Sequence, residues 1–158
     1  MGSAKRVSRF GLSGTGFFSA VIADALRKSK KGELVTCFDV IPEKAKAFSD
    51  KYGCSWEASY EDLIKRDDID GVLLVTPNAV HCHQAVLAAQ HGKNVYVEKP
   101  IANTMADGRK IIAACEKAGV VLLVGHMMRR YGGHRKIKEL ISNGSIGKPI
   151  MVEANLSS

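Results

Sequence analysis

Glutamate, lysine and proline follow one another at the end of a short apolar run in the stretch "NVYVEKP", Asn94 to Pro100. A carboxylate can accept hydrogen bonds from hydroxyl groups, and an ammonium can orient a hydroxyl and stabilise negative charge that develops on its oxygen. Pro100 leaves no N–H unpaired at the strand end and stiffens the turn after Lys99; whether their peptide bond is cis stays open. A surface ion pair between Glu98 and Lys99 is the alternative, but neighbours on a strand point to opposite faces. We therefore expect a site where this strand ends.

A glycine-rich turn, "GTGFFS", stands between the first strand-like run and the first helix-like run, from Gly14 to Ser19. In the pattern G-x-G-x-x-G, the first glycine makes the tight turn, the second admits a pyrophosphate and the third lets helix and strand pack closely. Ser19 holds the third position and is small enough to keep most of that packing. A plain turn is the alternative, but a helix start favours phosphate through its N–H groups and dipole. The turn indicates a dinucleotide site.

Asp39 ends the second strand-like run, 23 positions after Gly16. An acid at this place hydrogen-bonds the adenosine ribose hydroxyls and repels a 2′-phosphate. The alternative is a simple helix N-terminal charge near Pro42. We expect NAD as the cofactor, with NADP left open by the nearby Lys44 and Lys46.

Apolar strand-like runs alternate with helix-like periodicity along the chain, as in "VSRFGL" followed by "GFFSAVIADALRKS". Such alternation predicts βαβ units and a parallel sheet. The runs "LLVTP" and "VVLLVG" lack polar alternation, which is typical of strands covered on both faces. We predict an α/β fold with a doubly wound, mainly parallel Rossmann sheet and helices on both faces. Residues 1–148 are predicted to form this domain, and residues 149–158 to begin a strand leading to a second, substrate-binding domain.

Caps and glycines mark the predicted helix ends. Ser59 with Asp62, and Thr104 with Asp107, have the spacing of an N-cap backed by an acid three positions on. Glycine is the residue that most readily closes a last helical turn in the left-handed conformation. The glycines placed at such ends are Gly32, Gly53, Gly92, Gly119 and Gly144.

Composition limits the classes of function. The chain has 158 residues, 46% of them hydrophobic and 25% charged, as expected for one globular domain. No apolar run reaches the roughly 20 residues of a membrane span. The basic N-terminus is not followed by a long apolar region, so we expect no signal peptide. The four cysteines are scattered singly, which favours reduced thiols. These features predict a cytoplasmic location and no membrane partner.

A net charge of +7 raises the alternative of nucleic-acid binding. Much of the excess lies in "LRKSKKG" and "MRRYGGHRKIK". Cations near a helix C-terminus also favour the helix dipole, which explains the first cluster without a partner. No recognised nucleic-acid motif accompanies the charge, so we do not expect nucleic acid as a partner.

Taken in order, these motifs resemble the N-terminal domain of the Gfo/Idh/MocA oxidoreductases, the family that contains glucose-fructose oxidoreductase and inositol 2-dehydrogenase. The resemblance extends from about Val7 to Asn155. It is carried by Gly14 and Gly16, Asp39, "TPNAVH" (Thr76 to His81), "GKNVYVEKP" (Gly92 to Pro100) and "AGVVLLVGHMMRR" (Ala118 to Arg130).

The resemblance implies roles for particular residues. Lys99 is the implied catalytic residue, pointing at the carbon where hydride is exchanged, and Glu98 lies near the nicotinamide ribose. The implied cofactor-binding residues are Gly14, Thr15, Gly16, Phe17, Phe18, Asp39, Thr76, Pro77, Asn78, His81, Glu98 and Lys99. His126, Arg129 and Arg130 are implied on the substrate or nicotinamide side. After Arg130 the chain reads "YGGH", which departs from the family's usual pattern and puts substrate contacts there in doubt.

Two of these residues have alternative interpretations. Asn78 can cap the helix that follows as well as contact the cofactor. His81 and His83 form an H-x-H pair that could bind a metal, but a zinc site needs a third and usually a fourth ligand. We expect no metal.

The implied activity is hydride transfer between NAD(P) and a secondary alcohol of a sugar, an inositol or a related polyol. Family members are longer, often assemble as homo-oligomers, and carry their acid/base group and most substrate contacts in the second domain. We therefore expect a homo-oligomer, and cofactor binding without turnover by these 158 residues alone. A non-catalytic NAD-binding sensor or scaffold is the alternative.

Overall fold

The computed structural model describes residues 6–155, which form six strands, six α-helices and one short 3₁₀ helix. The strands are β1 (Ser8–Ser13), β2 (Gly32–Phe38), β3 (Ser55–Trp56), β4 (Gly71–Leu74), β5 (Asn94–Val97) and β6 (Leu122–Val124). The α-helices are α1 (Phe17–Ser29), α2 (Pro42–Tyr52), α3 (Tyr60–Lys65), α4 (Asn78–Gln90), α5 (Met105–Ala118) and α6 (Gly132–Ser142). The 3₁₀ helix spans Met127–Arg130.

All six strands are parallel and form one sheet in the order β3-β2-β1-β4-β5-β6. The order is that of a doubly wound Rossmann sheet, and the predicted fold class is confirmed. Sequence periodicity did not show β3 or α3, because a two-residue strand and a six-residue helix are too short for a repeat, although the predicted cap at Ser59 marks the start of α3.

Apolar residues pack on both faces of the sheet because successive side chains of a strand point in opposite directions. In β4, Val72 and Leu74 belong to one buried cluster, which also contains Ile64, Ala85 and Ile111 from the helices α3, α4 and α5. Leu73, between them, belongs to a second cluster with residues of α1 and α2. Covering on both faces explains why β4 is apolar throughout.

Two predicted N-caps are confirmed, and one predicted helix end is wrong. Ser59 and Thr104 each accept a hydrogen bond from the backbone N–H three positions on. Helix α1 ends on Lys30, which adopts the left-handed conformation at φ 54°, whereas Gly32 is the first residue of β2. A non-glycine residue can hold this conformation at a modest cost, so the nearest glycine is not a secure guide to a helix end.

The described residues divide into two compact units, residues 6–125 with the whole sheet and residues 126–155 with the 3₁₀ helix and α6. Residues 150–155 have no regular secondary structure, and Ile150, Met151 and Val152 are largely exposed. The predicted domain boundary at residue 148 and the predicted strand leading to a second domain stay predictions. Within residues 6–155, none of the helices combines the length and the apolar character that crossing a bilayer would require.

Candidate functional site

The carboxyl ends of β1, β2, β4 and β5 bring the predicted site residues to one edge of the sheet. Parallel strands end at the same edge, and β1 lies between β2 and β4, so the direction in which strands are added reverses there. Open α/β sheets bind ligands in the crevice outside such a reversal. The glycine turn follows β1, Asp39 follows β2, Thr76 follows β4 and Glu98 follows β5.

The glycine turn has the room and the donors that a phosphate needs. Gly14 has φ +89°, and a Cβ there would lie 2.8 Å from the carbonyl oxygen of Val75, so only glycine fits without strain. A Cβ on Gly16 would meet nothing within 4 Å, which leaves open space beside the helix start. The first turn of α1 contains no acidic residue and no side-chain cap, so its N–H groups can receive an anion.

Ser19, at the third position of the glycine pattern, is fully buried. Its hydroxyl donates a hydrogen bond to the carbonyl oxygen of Gly16, one turn earlier. The side chain therefore folds back on its own helix and takes up little space between helix and strand. By contrast, the Phe17 side chain is 91% exposed at the start of α1.

The carboxylate of Asp39 is bound to the glycine turn. Its Oδ2 accepts hydrogen bonds from the backbone N–H and the hydroxyl of Thr15, each at 2.8 Å, and its Oδ1 accepts one from the N–H of Ile41 at 3.0 Å. Burial opposes ionisation, but these hydrogen bonds and the nearby Lys44 ammonium outweigh it and hold the pKa of Asp39 below its usual value. Each carboxylate oxygen can accept more than one hydrogen bond, so the anion can still bind ribose hydroxyls.

A groove of about 470 Å³ lies beside the glycine turn. It is lined by Thr15 and Gly16 on one side and by Lys44 and Lys51 of α2 on the other. The two ammonium groups give this groove a positive character next to the anionic Asp39. NADP, which carries an extra phosphate, would meet both signs of charge here.

The segment after β4 leads directly into α4. Pro77 stands at the N-cap position and Asn78 is the first helical residue, so the alternative of Asn78 as the cap does not hold. Thr76 donates a hydrogen bond from its hydroxyl to Oε1 of Gln84 at 2.8 Å. The ring nitrogens of His81 face two carbonyl oxygens, those of Pro100 at 3.0 Å and Thr76 at 2.9 Å, and the residue is fully buried. Neither nitrogen is free for a metal, and His83 is exposed.

Glu98 and Lys99 have opposite environments at the end of β5. Glu98 is buried; its Oε1 accepts a hydrogen bond from the Tyr96 hydroxyl and its Oε2 one from the backbone N–H of Lys99 at 3.1 Å. Burial and the bond to Glu98 raise the pKa of Tyr96, which keeps the phenol protonated as a donor.

The Lys99 side chain is exposed, and within residues 6–155 its ammonium has no hydrogen bond or ion pair. The alternative of a Glu98–Lys99 ion pair therefore does not hold in the structure. The Lys99–Pro100 bond is cis.

Gly125 packs against this carboxylate. A Cβ on Gly125 would lie 2.6 Å from both Oε1 of Glu98 and the Tyr96 oxygen, closer than real Cβ contacts. The Gly125 N–H donates to the carbonyl oxygen of Val97, which holds the glycine beside the strand end. Glycine is therefore the residue that lets the carboxylate and the phenol meet.

The predicted residues His126, Arg129 and Arg130 belong to the second unit. His126 precedes the 3₁₀ helix and accepts a hydrogen bond on its carbonyl oxygen from the Arg129 N–H at 3.1 Å. All three side chains are exposed. Their assignment to the substrate or nicotinamide side stays a prediction.

Sequence reasoning missed four residues of this edge: Tyr96, Gly125, Gln84 and Ser13. Tyr96 stands two positions before Glu98, and the two-residue period of a strand would have placed both side chains on one face. Gly125 follows the sixth strand just as Gly14 follows the first. Gln84 and Ser13 carried no signal, because a polar residue in an apolar segment does not reveal its partner.

Comparison with known proteins identifies the family of the chain. Residues 8–126 match the family described as "Oxidoreductase family, NAD-binding Rossmann fold", Gfo/Idh/MocA. The chain is 34% identical over 146 residues to an inositol 2-dehydrogenase of Salmonella typhimurium, covering 90% of this chain and 44% of that protein. It is 33% identical over 139 residues to a 2,7-anhydro-N-acetylneuraminate hydratase of Mediterraneibacter gnavus, covering 88% and 37%.

A solved structure supports the same relationship. The WlbA dehydrogenase of Bordetella pertussis, in complex with NADH and UDP-GlcNAcA, superposes with a TM-score of 0.84 at 34% identity. The match covers 88% of this chain and 43% of that one. The chain thus spans about two fifths of the length of these relatives. From the family match, the fold and the motifs at the sheet edge together, the chain belongs to the Gfo/Idh/MocA oxidoreductases through its NAD-binding Rossmann domain.

Proposed function

We propose that the chain is the cofactor-binding part of an NAD(P)-dependent oxidoreductase that transfers a hydride between nicotinamide and a secondary alcohol of a sugar, an inositol or a related polyol. The observation that carries the proposal is the meeting of two groups at one sheet edge. The glycine turn and Asp39 can hold a dinucleotide, and Lys99, at the end of β5 and two strands from β1, offers an ammonium that has no partner within residues 6–155.

Different residues of the chain bind different parts of the dinucleotide. The N–H groups at the start of α1 receive the pyrophosphate, and Asp39 accepts hydrogen bonds from the adenosine ribose. Glu98 accepts a hydrogen bond from the nicotinamide ribose. When bound, the nicotinamide supplies the hydride acceptor or donor.

Lys99 acts on the substrate oxygen. Oxidation of an alcohol to a ketone sends the hydride to the nicotinamide and the hydroxyl proton to a base, for which the resemblance implies the acid/base group of the second domain. An ammonium that orients the hydroxyl and stabilises charge on its oxygen lowers the barrier to this step. The ammonium suits this role because within residues 6–155 no carboxylate neutralises it. The support for a sugar-like substrate is the names of the relatives, which act on an inositol or were solved with a nucleotide sugar.

Titration with NADH and NADPH, followed by the fluorescence of the reduced nicotinamide, tests the cofactor. We expect NADH to bind more tightly. In a complete protein that contains this chain, polyols and sugars should then reduce NAD. Tight NADH binding with no turnover on any of them would favour the sensor or scaffold.

A second candidate for the complete protein is the hydration of an anhydro sugar acid, because the M. gnavus relative is named for that reaction. Hydration yields no net NADH. Measuring absorbance of reduced nicotinamide beside product formation therefore separates the two candidates.

A further inference from the structure

Helix α4 carries two buried polar side chains on one side. His81 and Gln84 are three positions apart, which places them on neighbouring turns of the same helix face. His81 is fully buried and Gln84 is 7% exposed. A buried polar group is retained at a cost unless it is hydrogen-bonded, so the partners of these two residues indicate what they do.

His81 joins the segments that follow β4 and β5. The last paired residues of these strands are Leu74 and Val97, so Thr76 and Pro100 lie beyond the ladder. The imidazole bridges their carbonyl oxygens at 2.9 and 3.0 Å. A neutral ring donates to one of them and a doubly protonated ring to both. Among the hydrogen bonds of residues 6–155, those of His81 alone link these two segments.

Gln84 joins the last residue of β1 to the segment that follows β4. Its Nε2 donates to the Ser13 hydroxyl at 3.0 Å, and its Oε1 accepts from the Thr76 hydroxyl at 2.8 Å. Ser13 is fully buried and directly precedes Gly14 of the glycine turn. The backbone oxygen of Gln84 also accepts from the Tyr60 hydroxyl at 2.8 Å, which fixes this turn of α4.

We propose that His81 and Gln84 are positioning residues of the dinucleotide site. Through them, one rigid helix holds the end of β1 that leads into the glycine turn, the segment at Thr76 and the segment at Pro100, which follows Lys99. The proposal rests on the proposed function. It assigns His81 a place behind the cofactor site, because the buried ring lies between the carbonyl oxygens of Thr76 and Pro100 and donates a hydrogen bond within the protein.

Matched variants of α4 test the proposal in the 158-residue chain. His81→Gln is compared with His83→Gln, and Gln84→Met with Gln90→Met; the control residues are exposed on the same helix. Urea unfolding measures stability, and NADH titration measures affinity under conditions where circular dichroism shows each variant folded. We expect His81→Gln and Gln84→Met to weaken NADH binding by about tenfold, and both controls to stay within about twofold of wild type.

Ser13→Ala is the milder variant in case a core variant does not fold. It removes the oxygen that accepts from Gln84, and its control is Ser49→Ala, a buried serine of α2 whose hydroxyl donates within its own helix. We expect Ser13→Ala to weaken NADH binding several-fold and Ser49→Ala to leave it unchanged.

The outcomes distinguish a failure of the proposed function from a failure of the positioning role of His81 and Gln84. If wild type binds no NADH, the proposed function and this proposal both fall. If wild type binds NADH and the folded variants lose stability while keeping wild-type affinity, His81 and Gln84 are structural residues only and this proposal alone is overturned.

Discussion

Asp39 and Thr15 are joined by two hydrogen bonds to a single carboxylate oxygen, one from the Thr15 backbone and one from its hydroxyl. The acid expected to select the ribose therefore also holds the glycine turn in place. The proposed selection of the cofactor and the observed shape of the glycine turn therefore involve the same side chain.

Asp39→Ala should lower NADH affinity and move the preference towards NADPH, because it removes both the ribose acceptor and the charge that repels a 2′-phosphate. Lys44 and Lys51 in the adjacent groove would then attract that phosphate unopposed. Titration with both cofactors measures the change, and Asp50→Ala, at an exposed position of α2, is the control. Wild type that binds NADPH tenfold more tightly than NADH, a difference of about 1.4 kcal/mol, would contradict the assignment of Asp39.

Lys99→Ala in a complete protein should lower turnover by about a hundredfold or more and change NAD affinity little. The ammonium is expected to act on the substrate oxygen and not on the dinucleotide. Steady-state kinetics with a separate NADH titration resolves the two effects. Lys117→Ala, at an exposed position of α5, is the control. Near-normal turnover would reduce Lys99 to a surface charge.

Gly125→Ala should destabilise the fold by about 1–3 kcal/mol, the cost typical of overpacking. The added methyl would press on the Glu98 carboxylate and the Tyr96 oxygen. Urea unfolding measures the change. Gly133→Ala, where a Cβ meets nothing within 4 Å, should be nearly neutral. Equal stability of the two variants would show that Glu98 and Tyr96 move apart at no cost.

Asp68 predicts a pH dependence at the opposite edge of the sheet. Its hydrogen bond to Arg66 lowers the pKa of Asp68 from 3.8 to about 2. A depressed pKa in the folded state stabilises the fold above the unfolded pKa, and this contribution is lost as the pH falls from about 3.8 towards 2. Asp68→Asn should therefore lower stability at pH 7 by about 0.5 kcal/mol, since solvent reaches both side chains of the pair and screens it. The difference from wild type should shrink below pH 3.8; a gap that widens in acid would refute the assignment.

The 158-residue chain should associate through its C-terminal segment and show no dehydrogenase activity on sugars or inositols. Ile150, Met151 and Val152 are 100%, 82% and 77% exposed. Apolar residues at such exposure favour contacts between chains. Light scattering over a concentration series, with a variant ending at Lys148 as the control, measures the association. Monomers at every concentration in both proteins, or NAD-linked turnover by the chain, would each contradict one half of this prediction.

The sheet and its site edge could be predicted because several signals agreed there. Apolar runs, the glycine turn and the spacing of Asp39 all point to βαβ units, and Thr104 marks a helix start by its own side chain. Local sequence signals failed to predict the ends of some helices, where the packing of the folded chain decides which residue takes the cap position. Lys30 rather than Gly32 ends α1, and nothing near Asn78 shows that Pro77 takes the cap position.

The polar contacts behind the site could not be predicted, since they join residues far apart in the chain. Gln84 meets Ser13 across 71 positions, and the bond exists only after β1 and α4 have packed. Tyr96 and Glu98 are the exception. The alternation of a strand predicts that they share a face, although it does not predict that their oxygens touch.

The strand order also bears on how the sheet can be assembled in the order of the sequence. Within residues 6–155, the first strand, β1, lies inside the sheet, and each later strand joins an edge that already exists: β2 and β3 on one side, then β4, β5 and β6 on the other. Growth from the N-terminus can thus proceed outward without any strand being inserted between two earlier ones. The glycine turn and Asp39, which accepts hydrogen bonds from Thr15, directly follow β1 and β2, so both lie in the first βαβ unit of the sheet, ahead of the other predicted site residues in the sequence.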